Sequence, residues 1–269
     1  MRLTRRPFAD LVFHVLAHVP GRFAASVYDR GYVGWTESHL GPLRGRDLGE
    51  GVDALARMLT SHEACVRVQW LAWLFGDLDR AARAYDRPLS ELTDGDVDRS
   101  RVLARLRADP RSETLYCTVA LEAEWHARLP PWGLDPGLEA ALAARRIVAP
   151  ELARFDVGVV RSLARRGRVF EGEIWVGASG EVPPWASCER VAWQAAHEAT
   201  VAELSGARLA FEELEHAAVV LLRERAARVG EGAAHARWLE TLDAPSPRRA
   251  SLAQEARAAV DAALDRSST

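Results

Sequence analysis

Apolar side chains recur at helical spacing along almost the whole chain, and only one stretch replaces that rhythm with a strand-like one. A chain patterned this way has few options. It must lay helix against helix around a shared core. The first helix is expected from about Pro7 to Val19, where Pro20-Gly21 stops it. An irregular aromatic stretch with Tyr28, Tyr32 and Trp35 among glycines follows. Further helices are expected near 48–59 and 61–75, the second with Thr60 as N-cap and Glu63 closing a capping box. Others are expected near 90–108, 112–129, 136–146 and 150–166, then from Ser187 to Leu204, at 209–229 and at 252–264. The exception is Arg168-Val-Phe-Glu-Gly-Glu-Ile-Trp-Val176, bounded by Gly167 and Gly177, with Gly172 placed for a turn or bulge. The fold class is therefore mainly α: a single multi-helix domain with a small β-hairpin-like element near residues 168–177. Residues 1–244 form that domain. Residues 245–269 supply the PSPRR linker and a C-terminal amphipathic helix.

Composition removes whole reaction classes. All 35 basic residues are arginine, and the chain has neither lysine nor asparagine. That excludes a Walker-type phosphate lysine, a kinase lysine and a Schiff-base lysine. A net charge of −3 gives no basic face for nucleic acid, and no uncharged run reaches the length of a membrane span. The seven arginines between Arg145 and Arg168 read as a solvated helix surface. Cys65, Cys117 and Cys188 lie far apart and read as small core residues in a reducing compartment. A signal-peptide core would not carry Asp10, His14 and His18, so a cytoplasmic setting is expected.

Those three residues are the first candidate site. They stand at i, i+4 and i+8 on a helix otherwise apolar nearly all round, so their stripe should face something other than bulk water. Two imidazoles at i, i+4 can reach one divalent ion, and Asp10 can join them or orient His14. The second candidate is His197-Glu198, on the apolar face of Trp193, Thr200, Val201 and Leu204. The pair opens like HExxH, but the position of the second histidine holds Val201. A site from His14, His18 and His197, with Asp10 as a further ligand and Glu198 as base, would make the chain a metal-dependent hydrolase. Zn²⁺ is the expected ion, and a small molecule or peptide the expected substrate. The rival reading is a non-catalytic helical scaffold whose histidines are satisfied core groups. In it, the terminal helix docks on a protein partner or a second copy. A cofactor-binding bundle, haem or di-iron, is a third reading; Glu213-Leu-Glu-His216 carries an ExxH but on an exposed face. Glu122 and His126 form one more i, i+4 pair, read as structural, and His39 and His235 carry no pattern.

Overall fold

The computed structural model describes residues 1–21, 28, 30–41, 46–86, 97–131, 136–163, 167–177, 188–241 and 252–266. Among them twelve α-helices surround one four-stranded sheet. The order is β1 (Leu3–Arg5), α1 (Pro7–His18), α2 (Arg30–Leu40), α3 (Arg46–Met58), α4 (His62–Leu74), α5 (Leu78–Asp86), α6 (Val97–Arg107) and α7 (Pro110–His126). Then come α8 (Gly137–Arg145), a 3-10 turn (Pro150–Arg154), β2 (Asp156–Val160), β3 (Arg168–Phe170), β4 (Glu173–Gly177), α9 (Cys188–Leu204), α10 (Phe211–Arg228), α11 (Gly232–Thr241) and α12 (Gln254–Arg266). The chain is mainly helical, as its periodicity requires.

The sheet is larger than the hairpin expected at 168–177. β3 and β4 pair antiparallel across Gly172, which takes φ +71°, a region open to glycine. β4 also pairs parallel with β2, and β2 with the N-terminal β1, giving the order β1-β2-β4-β3. The helix expected over 150–166 is thus overturned. Only 150–154 turns helically, and Asp156-Val-Gly-Val-Val160 is a strand, because its valines are buried on both faces of the sheet. Side chains alternate across the sheet. Val157, Val159, Ile174 and Val176 join the core beneath α8, α9 and α11, whereas Val160, Phe170 and Trp175 join the core of α1, α4 and α7. Gly158 faces Trp175, and a Cβ there would stand 2.7 Å from the indole Cδ1.

Other differences have equally local causes. α2 lies where an irregular stretch was expected, since Gly31 and Gly34 weaken its pattern. Ser61, not Thr60, caps α4: its hydroxyl accepts the Ala64 N–H at 3.2 Å. Cys117 is exposed and the other two cysteines half-buried, so they are not core residues. The apolar face of α12, with Ala256, Val260, Ala263 and Leu264, packs on α10 of the same chain rather than standing open for a partner. The PSPRR linker, Trp132 and Trp185 lie outside the described residues. No described helix is long and apolar enough to cross a membrane.

This frame fixes α1. β1 anchors its start beside β2, and its length packs on α7 and α4. Phe8 through Leu16 are all buried, so the polar stripe of α1 must find its partners inside the protein.

Candidate functional site

Three helices each bring a pair of polar side chains one turn apart to the same place. α1 carries His14 and His18, α2 carries Tyr32 and Thr36, and α7 carries Glu122 and His126. His14 is the centre. Its Nε2 lies 2.8 Å from Glu122 Oε1 and its Nδ1 2.9 Å from the Tyr32 hydroxyl. A carboxylate only accepts, so Nε2 carries the proton to Glu122, and Nδ1 accepts from Tyr32. His14 is fully buried, and Glu122 and Tyr32 nearly so. The His18 ring sits 4.6 Å from the His14 ring, and the His126 ring 4.9 Å from it.

His18 has its own proton inventory. Its Nδ1 donates to the His14 carbonyl at 2.7 Å, and its Nε2 stands 3.0 Å from Thr36 Oγ1. Thr36 Oγ1 is also 2.8 Å from the Val33 carbonyl. The hydroxyl has one proton to give. With neutral His18 it turns to Nε2; with protonated His18 it turns to Val33, and Nε2 donates instead. The last turn of α1 favours the cation.

Asp10, on the same stripe, serves a different partner. Its Oδ1 accepts the Arg161 backbone N–H at 2.7 Å, and Oδ2 lies 3.6 Å from Arg161 Nε. The Arg161 guanidinium donates to the Pro130 carbonyl and lies over Trp35, 5.2 Å from the ring centroid. Asp10 thereby ties α1 to the end of β2. The role of orienting His14 belongs to Glu122.

The structure does not bring His197 to His14 and His18. His197 belongs to the other core, with its Nε2 3.9 Å from Glu215 and its ring 5.6 Å from Trp238. Glu198 is committed too: its Oε1 accepts the Gly167 N–H at 2.7 Å and the Gln194 amide at 2.8 Å, fastening α9 to β3. Among the described residues, no three His, Cys, Asp or Glu side chains are grouped so as to hold a metal ion. The four expected ligands are thus dispersed over separate partners, and both nitrogens of His14 and of His18 stand in hydrogen bonds.

Tyr32 and Thr36 carry no signal in the sequence as site residues, and Glu122 and His126 read there as a structural pair. Glu122–His126 was visible as a pair, but nothing local says that it meets His14 from 108 positions away. His62, at the start of α4, is exposed.

A second polar island lies around His235 on α11, buried among Trp193, Trp238 and His197. Burial, then the nearby His197 and Arg223, push the His235 imidazole down to about 4. The folded state therefore binds fewer protons than the unfolded chain between pH 4 and pH 6.5. The stabilisation is whole above about pH 6.5 and is lost as pH falls towards 4. On the order of 2 kcal/mol should disappear over that window. Urea unfolding at pH 7 and pH 4.5 should show that loss for the wild type and a smaller one for His235→Gln. Equal losses would mean that other groups set the acid sensitivity.

Comparison of the sequence with protein-family models and curated proteins, and of the fold with solved structures, gives no match.

Proposed function

We propose that the chain is an acid–base enzyme of hydrolase type whose working centre is the Tyr32–His14–Glu122 relay. One observation carries this reading: a buried carboxylate orients an imidazole whose other nitrogen accepts from a hydroxyl. The same order of groups lets a hydroxyl lose its proton in other acid–base catalysts. The imidazole takes the proton, and the carboxylate stabilises the imidazolium that forms. Placing these groups in a core that apolar side chains could fill is costly, which is characteristic of functional rather than structural positions. Trp35, His18 and His126 are only half-buried, so the centre has a side nearer solvent from which a small ester or amide can approach. The Tyr32 oxygen then bonds to the carbonyl carbon as His14 takes its proton. The ester or amide bond breaks, the leaving alcohol or amine receives that proton from His14, and water activated by His14 releases the acid from Tyr32.

The test needs no known substrate. p-Nitrophenyl acetate and butyrate should be cleaved above background by the wild type. Tyr32→Phe, which keeps the ring and removes the proton donor, should lower the rate at least about 100-fold while circular dichroism stays unchanged. Equal rates in the folded variant would remove Tyr32 from the mechanism. No cleavage by the wild type would favour the scaffold reading, with His14 as a structural core group.

One observation favours a second reading, a divalent-ion enzyme with zinc as the ion. His14, His18, Glu122 and His126 all have metal-ligating chemistry and come from i, i+4 pairs on two packed helices. Since no three of these side chains are grouped to hold an ion as they stand, an ion would have to draw them together and replace the His14–Glu122 hydrogen bond. Metal analysis of protein purified without added metal distinguishes the two: stoichiometric zinc lost in His14→Ala and Glu122→Gln favours the ion. Activity that survives chelation favours the relay.

A further inference from the structure

The island formed by α9 and α11, with Arg145 from the end of α8, is distinct from the relay. Trp193 Nε1, Trp238 Nε1, His235 Nε2 and Arg145 Nε are buried atoms with no hydrogen-bond partner. Their residues are between 1 and 4 % exposed. The side chains form one contact group. The Trp193 ring lies 5.1 Å from His235 and 6.2 Å from Trp238, His235 lies 5.5 Å from Trp238, and the Arg145 guanidinium lies 4.6 Å above Trp193. Single orphaned groups occur in native proteins. Four in one connected group would consume a sizeable share of a domain's net stability, and such groups are ordinarily satisfied by a partner, whether a bound molecule or ordered water.

The chemistry of the orphans describes that occupant. An indole N–H and a guanidinium N–H can only donate, so three of the four atoms ask for an acceptor. Charge argues against an anion. Arg145 is already matched by Glu231 at 3.1 Å and faces Glu189 at 3.6 Å, and Glu215 stands 3.9 Å from His197. With Arg223 counted beside His235, a further negative charge would still meet three carboxylates against the two guanidinium groups. We propose that α8, α9 and α11 hold a binding site for a small uncharged molecule with an acceptor oxygen, of the carboxamide or ketone class, at Trp193, Trp238, His235 and Arg145.

Acetamide is the probe. In the full-length protein, Trp193→Phe and Trp238→Phe assign their indole N–H signals among those of the nine tryptophans. Through-space contacts with His235 give the same assignment where a variant does not fold. Adding acetamide to the wild type should shift the Trp193 and Trp238 signals saturably, with one shared midpoint. Trp238→Phe should raise the midpoint seen at Trp193 about 5- to 10-fold, the worth of one hydrogen bond. Signals that do not move, or that drift linearly with all the others, overturn the proposal. So does a crystal grown with acetamide that shows only water at the four atoms.

Discussion

Replacing Glu151 by alanine should lower the stability of the protein by about 3–5 kcal/mol, the range found when one member of a buried ion pair is removed. Glu151 sits in the 3-10 turn with both oxygens on Arg225 Nη1, at 2.9 and 3.1 Å, and the Thr200 hydroxyl is 2.7 Å from Oε1. All three side chains are buried. Arg225 Nη2 donates in turn to the Ala263 carbonyl, so the pair joins the 3-10 turn, α9, α10 and α12 at one point. Alanine leaves the guanidinium in the core without its carboxylate. The cost is the stranded charge rather than the contact itself, which separates this account from simple cavity formation. Glu151→Leu combined with Arg225→Met should therefore recover most of the loss. Urea denaturation measures both. A single variant within about 1 kcal/mol of wild type, or a double variant no better than the single, would show that the pair does not hold the helices as described. Hydrogen exchange should show α12 opening first in Glu151→Ala.

Gly167→Ala should cost about 3 kcal/mol, at the upper end of overpacking effects. The reason is space. A Cβ there would lie 2.5 Å from Glu198 Cγ and 2.8 Å from the Trp175 backbone oxygen. A side-chain end could yield, but a carbonyl inside the β3–β4 ladder cannot without moving Trp175, which packs on Phe13 and Phe170. The same change should break the Gly167–Glu198 hydrogen bond that holds α9 to the sheet. Gly76→Ala is the control, since a Cβ there meets nothing within 4 Å. It should stay within about 0.5 kcal/mol of wild type. Thermal unfolding of the two variants decides the matter, and similar midpoints would sink the prediction.

Gly167 also shows where the Glu198 carboxylate is engaged. Adjacent to His197 in sequence, it looks like part of a catalytic dipeptide, yet consecutive helical residues point about 100° apart. Glu198 turns to the sheet and His197 to α11. Strand β2 was missed for a related reason: a short valine-rich run bounded by helical segments has the same apolar content as a buried helix turn. Only its parallel neighbours, β1 and β4, supply the ladder that makes it a strand.

α5 and α11 were not foreseen, but by itself the sequence determined most of the longer helices, with their ends to within a few residues where the structure describes them, and the internal stripe of Asp10, His14 and His18. These are local matters, set by side-chain spacing over one or two turns. What the stripe meets was decided only by tertiary packing. Asp10 turned to Arg161, His18 to Thr36, and His14 to both Tyr32 and Glu122, at separations of 151, 18 and 108 residues for the Arg161, Thr36 and Glu122 contacts. A helix fixes the direction in which a side chain leaves its axis. Which other helix stands there depends on how all the apolar faces are buried together, and that cannot be read from one stretch of chain.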